Sequence, residues 1–337
     1  MELKVLDEAD WQKWDAVITS SPHGTIFHTW KWLKIVEKNT HTDFYPLIAY
    51  QGTNIVAIYP VFLEKKGFIN LALSPPPQAY LLYLGPVIVG YEEKKQDKKE
   101  SIFLDLQIEF DRFLVNQLNC KYARIRLSPG LSDSRPLQWC GYSINPLFTY
   151  RTNLSDGIDR IWDRFDRKLR VSIHRATKEG VVVKVGGRED LLLIEKELSR
   201  RRTEQGIHSF DHSQYLLDLY DNFQENLKIF MAYYEGLLVG SLVALAFKDI
   251  MSLWIGTPKS ELKSIYPNDL VQWEAMKWAG QNGFRWFESM DGGDNRRLTL
   301  YKSKWNPQLQ IWYSAEKHSS TVYKIGEKIL RKCLSYL

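Results

Sequence analysis

Two stretches of this chain occur twice and in the same order. LIAYQGTNIVAI (47–58) lays over MAYYEGLLVGSL (231–242), so that Tyr50 meets Tyr234 and Gly52 meets Gly236. KYARIRLSPG, from Lys121, resembles GFRWFESMDGG, from Gly283. Weak likenesses that keep their order over such a distance imply an internal duplication, and so a chain built from two copies of one plan. At 337 residues the chain has the length for two domains. The expected division is an N-terminal domain over 1–150 and a C-terminal domain over 151–337.

Within each half, alternating apolar runs flank a turn and are followed by a helix and a further strand. FYPLIAY and NIVAIYPVFL around QGTN read as a β-hairpin, because Gly and Asn accept the positive φ of tight turns. KIFMAYYEGLLVGSLVALAF reads the same way, with IMSLWIGT as a third strand. Helices are expected over Asp10–Ser20, Thr25–Lys38, Glu100–Leu118, Ile158–Glu179, Glu189–Gln205 and Pro267–Gln281. The pattern predicts an α+β or mixed α/β fold with largely antiparallel sheets. Neither GxGxxG nor GxxxxGK[ST] occurs, and there is no GxSxG, so dinucleotide, P-loop and serine-hydrolase chemistry lack support.

Hydrophobic content of 44% and charged content of 25% are those of a globular chain, and a net charge of +5 falls short of a dedicated DNA-binding domain. Cys120, Cys140 and Cys333 have neither CxxC spacing nor paired histidines, so no zinc site or disulfide framework is expected. His208 and His212 stand four apart, but Gly206, Ser209 and Asp211 between and beside them point to a loop rather than a metal pair. The N-terminus lacks an apolar run of signal-peptide length and no window suits a transmembrane helix, so a cytoplasmic location is expected. The amphipathic IGEKILRKCLSYL at the C-terminus (325–337) leaves peripheral membrane contact open, with packing on the second domain the preferred reading.

Two segments carry candidate chemistry. In IDRIWDRFDRKLRVSIHRATKEG, helical projection puts Trp162, Phe165, Leu169, Ile173 and Ala176 on one side and Arg160, Arg164, Arg167, Arg175 and Lys178 on the other. The basic side is either a solvated face or an edge that holds phosphates through two-pronged guanidinium bonds. In DGGDNRRLTLYKSKWNP, Asp291 and two glycines follow a strand end. Lys302 then lies between Tyr301 and Trp305, which share a helical face. The aromatics either frame the lysine so that its ammonium meets an oxyanion, or pack beneath surface lysines.

These residues resemble a known family. RKLRVSIHRATKEGV is similar to the Arg-x-x-Ile-x-x-Ala-x-x-x-Gly-Val segment of the Fem peptidoglycan bridge-forming aminoacyltransferases, with Arg170, Ile173, Ala176 and Gly180 in the matching places. LTLYKSKWNP resembles that family's aromatic-Lys-x-x-aromatic segment through Tyr301, Lys302 and Trp305, and GTIFHTWKWLKIVEK resembles its N-terminal helix. The resemblance implies two tandem GNAT-like acyltransferase domains with the active cleft in the second. It implies an aminoacyl group moved from aminoacyl-tRNA to an amine of a small-molecule acceptor, such as a phosphorylated peptidoglycan precursor.

On that basis Lys302, Tyr301 and Asp291 are the expected catalytic residues, and Arg170, Arg175, Lys34 and Trp305 the expected substrate-binding ones. Lys302 would stabilise the developing negative charge while water, Glu288 or Asp291 takes the proton. The family's N-terminal phosphate-binding lysine falls on Val36, two residues past Lys34, and an arginine expected after Ile207 is replaced by His208, Ser209 or Phe210. No tightly bound cofactor and no DNA partner are expected. Acetyl-CoA as donor is the alternative, although TPKSELKSIYPND lacks the glycines of a pyrophosphate loop. A catalytically silent module that binds polyanions is the alternative of another class.

Overall fold

The computed structural model describes residues 1–204, 206, 211–256, 262, 264–290 and 296–319. In chain order the elements begin with β1 (Glu2–Val5), α1 (Trp11–Ser20), α2 (Trp30–Thr40), β2 (Asp43–Gln51), β3 (Asn54–Lys66) and β4 (Ile69–Ser74). Next come β5 (Val87–Ile88), α3 (Gln96–Asn116), β6 (Cys120–Arg126), α4 (Arg135–Trp139), β7 (Ser143–Asn153), α5 (Ile158–Arg164) and α6 (Arg167–Lys178). Then follow β8 (Val182–Val185), α7 (Arg188–Glu204), α8 (Ser213–Asn222), β9 (Leu227–Tyr234), β10 (Leu237–Phe247) and β11 (Ile250–Gly256). The last are α9 (Pro267–Gln281), β12 (Trp286–Ser289), α10 (Arg296–Ser303) and β13 (Gln308–His318). No helix among the described residues is long and apolar enough to cross a membrane.

The chain divides into two compact units, one of Met1–Leu147 with the residues from Ile311, the other of Phe148–Gln310. The expected division placed everything after residue 150 in one domain; the residues from Ile311 count instead with the first unit. The reason is a ladder. Ser314–His318 of β13 pair antiparallel with Arg126–Tyr122 of β6, and these backbone bonds hold the strand in the first unit.

Each unit has the same pairing order. In the first, β1, β2, β3 and β4 pair antiparallel in succession, β4 pairs parallel with β6, and β6 pairs antiparallel with β13. In the second, β8, β9, β10 and β11 pair antiparallel in succession, β11 pairs parallel with β12, and β12 pairs antiparallel with β7. The matched glycines sit at matched hairpin turns, Gly52 with φ 62° and Gly236 with φ 80°, a conformation in which a Cβ is strained. The matched strands KYARIR and FRWFES hold the parallel positions β6 and β12.

A parallel pair needs a crossover, and a helix supplies it in each unit. In the first unit α3 buries Phe103, Leu106, Phe110 and Leu114 against Leu47, Ala57, Tyr59 and Ile125, with Phe110 stacked on Tyr59 at 3.9 Å. In the second α9 buries Leu270, Trp273, Met276 and Ala279 against Phe230, Ala232, Ala244 and Phe287. Each large aliphatic or phenylalanine side chain among them contributes about 1.5–3 kcal/mol through removal from water.

The single helix expected over Ile158–Glu179 is two. It stops at Arg164, and Asp166 caps a new helix by accepting a hydrogen bond from the Lys168 N–H at 2.8 Å. The apolar side predicted for it is nevertheless the buried one, with Phe165, Leu169, Ile173 and Ala176 all in the core.

Candidate active site

The parallel ladder of the second unit runs from Ile250↔Trp286 to Leu253↔Ser289. β11 then continues to Gly256 while β12 ends at Ser289, so the ladder between them stops there. Loops beyond strand ends often form sites.

Lys302 is bound to this end of β12. It occupies the last turn of α10, is only 7% exposed, and its ammonium donates to the carbonyl of Met290, the residue after the strand. Burial of an ammonium is costly unless oxygen acceptors surround it, so the bond sets where the charge rests. Lys304, two residues on, is exposed.

Two aromatics fix the turn that carries Lys302. Trp305 is 2% exposed and packs edge-on against Phe165 at 5.0 Å, which in turn meets Trp273 of α9 at 5.3 Å. The Tyr301 hydroxyl donates to the carboxylate of Asp269 in the first turn of α9, and the Ser172 hydroxyl of α6, which donates to the Lys168 carbonyl at 2.9 Å, lies beside the same carboxylate. Burial pushes the Asp269 carboxyl above its usual range, an effect opposed by the Tyr301 bond, Lys304 and Ser172. The Tyr301 phenol is pushed well above the usual tyrosine value by desolvation and then by the charge of Asp269, so it keeps its proton and remains a donor. One carboxylate thereby joins α6, α9 and α10.

Glu288 lies on β12 and is fully buried. It accepts from Thr149 Oγ1 of β7 at 3.1 Å and from Ser252 Oγ of β11 at 3.0 Å, and Arg151 Nε stands 3.7 Å away. This carboxylate is an internal counter-charge among three strands, a placement unsuited to the proton acceptor that the sequence reading offered it as.

The remaining expected residues divide. Arg170 is part-buried with Asp163 at 4.0 Å, and Arg175 is exposed with Glu179 at 3.9 Å. Both belong to α6, the helix that supplies Ser172. Lys34 lies in the first unit on α2 and is flanked by Glu37 at 2.5 Å and Glu8 at 3.8 Å. Asp291, the adjoining glycines, His208, residues 257–261 and 263 of TPKSELKSIYPND and the C-terminal IGEKILRKCLSYL lie outside the described residues. Sequence reasoning missed Asp269 and Ser172. The first reads as an ordinary acid at a helix start after Pro267, and only the Tyr301 bond distinguishes it.

Residues 163–303 match the family model of the acetyltransferase (GNAT) domain. No curated protein matches the chain. Among solved structures, FemX superimposes with a TM-score of 0.69 at 13% identity, covering 93% of this chain and 97% of that one. L-PGS from Bacillus licheniformis gives a TM-score of 0.55 at 14% identity, covering 94% of each chain. A tandem GNAT protein from the clavulanic acid biosynthesis pathway gives 0.58 at 10% identity, covering 95% of this chain and 99% of that one. At such identities the likenesses establish the fold, which is the tandem GNAT arrangement expected from the sequence. The chain is therefore an acyltransferase, with residues 163–303 matching a GNAT domain.

Proposed function

We propose that the protein is an N-acyltransferase that moves an aminoacyl group from aminoacyl-tRNA to the amine of a small-molecule acceptor, with a phosphorylated, peptidoglycan-type precursor as the acceptor class. The observation that carries this reading is Lys302, a buried ammonium tied to the carbonyl just past β12 and held there by the Tyr301–Asp269 bond and the Trp305 packing. The likeness to FemX over nearly the whole chain supports the aminoacyl donor.

The acceptor amine attacks the carbonyl carbon of the donor ester. A C–N bond forms as the carbonyl π electrons move onto oxygen, and the Lys302 ammonium stabilises that oxyanion. Collapse of the intermediate breaks the C–O bond, and water carries the proton from the acceptor nitrogen to the departing donor oxygen, which leaves as a hydroxyl. Tyr301 acts by position: it stays protonated and fixes the turn. Turnover of Lys302→Ala and Lys302→Arg tests the assignment, and wild-type rates in both would sink it.

The match to an acetyltransferase domain model favours a second reading, in which an acyl-CoA thioester is the donor and CoA the leaving group. Isothermal titration with CoA separates the two. Saturable micromolar binding supports the thioester donor, and its absence together with label transfer from aminoacyl-tRNA supports the first.

A further inference from the structure

We infer that the first unit carries an oxyanion site of its own, centred on Arg124. Side chains alternate along β6: Ala123, Ile125 and Leu127 enter the core under α3, while Arg124, Arg126 and then Ser128 take the other face. Arg124 is half-buried, and its Nη2 donates to the Pro75 carbonyl at a long 3.4 Å. Among the described residues no carboxylate lies within 4.0 Å of it. Its register partner on β13 is Glu316, whose carboxylate stays beyond that distance. A guanidinium partly removed from water with no carboxylate within 4.0 Å, and with another arginine two residues on along the same face, is costly to hold.

Around it the chain leaves polar atoms unused. Arg124 Nε, Ser128 Oγ, Gln78 Oε1 and Trp312 Nε1 are buried without a hydrogen-bond partner, with Ser128 1% and Trp312 3% exposed. Ser128 and Trp312 are neighbours across the ladder. The ladder that pairs Arg126 with Ser314 continues through the bond from Leu127 N–H to Tyr313 O, and brings Trp312 opposite Ser128. Gln78 sits in the short 3-10 helix Pro77–Ala79, three residues after the carbonyl that binds Arg124. The same loop packs Tyr83 on Trp312 at 5.8 Å and bridges Leu84 to Leu127. Unsatisfied buried polar groups are rare enough that Arg124 Nε and three more on the same face and adjoining loop call for an explanation. A guanidinium, a hydroxyl and an indole N–H are the donors that a carboxylate or phosphate group accepts from. The site takes such a group on a small molecule, and it does not depend on the chemistry of Lys302.

Isothermal titration of the full chain with inorganic phosphate, and separately with acetate, tests this. Saturable uptake of at least one anion is expected, and which one binds tighter tells phosphate from carboxylate. Arg124→Gln should weaken it at least about tenfold, the loss of one charge-assisted bond. Arg124→Lys should recover most of it. Ser128→Ala, which changes no charge, should weaken it severalfold and serves if Arg124→Gln loses its circular-dichroism signature. No uptake of either anion, or equal uptake by wild type, Arg124→Gln and Ser128→Ala, overturns the proposal.

Discussion

The two units share one pairing order but treat charge on their parallel strands in opposite ways. Along the second, β12 buries Glu288 and surrounds it with two hydroxyls and Arg151. Along the first, β6 sets Arg124 against a carbonyl with no carboxylate close by among the described residues. In the matched stretches Glu288 corresponds to Arg126, so the same backbone position holds an acid in one copy and a base in the other. A duplicated fold therefore keeps its ladders and exchanges its charges. A compensated charge holds strands together, whereas an uncompensated one is available to something from outside.

The sharpest way to break this contrast is by stability. Glu288→Leu should cost about 3–5 kcal/mol in urea unfolding, because it strands Arg151 without its partner. Arg124→Gln should change stability by less than about 1 kcal/mol, since it breaks no ion pair. Equal losses would show that the two charges are not different in kind.

By activity, Lys302→Ala should lower kcat about 10²–10³-fold with the fold intact, the size expected for loss of one oxyanion-stabilising group. A steady-state assay that finds only KM changed would move Lys302 from chemistry to binding.

Asp269→Asn should alter the pH dependence of stability more than its size. The raised carboxyl of Asp269 keeps a proton in the folded state that the unfolded chain releases near ~3.9, so wild-type stability falls as pH rises through that window to the folded value. Melting curves from acid to neutral pH should show Asp269→Asn gaining on wild type over the same window and running parallel above it. A constant offset at every pH would mean that Asp269 is not shifted.

The smallest effect is kinetic. Burial pushes the Cys120 thiol up to about 12, so iodoacetamide at mildly alkaline pH should leave it unlabelled while the first unit is closed. No cysteine occurs within 148–310. Peptide mapping of Cys120 labelling in urea thus reads opening of the first unit alone, and rapid labelling without urea would contradict its burial.

Much of this was legible because it is local. Hairpins at Gly52 and Gly236 follow from turn chemistry, and α9 from Pro267 and its apolar spacing. The break at Phe165–Asp166 was not, since an aspartate within a helical pattern declares itself a cap only when its oxygen meets the Lys168 N–H. β7 and β13 were missed because their ladder partners are β12 and β6, far off in sequence. The Tyr301–Lys302–Trp305 spacing marked the right turn of chain. What each side chain does there depends on Asp269 and Phe165, more than thirty residues away, and no spacing rule reaches that far.

The return of β13 to β6 also sets an order on the ribosome. The free edge of β6 must wait for a strand made roughly 190 residues later, about ten to forty seconds at ordinary rates of synthesis. During that interval Tyr122–Arg126 present unpaired N–H and C=O groups to water or to a chaperone. Arg124 and Arg126 on that edge then act as gatekeepers, since two like charges on a bare strand discourage it from pairing with another nascent chain.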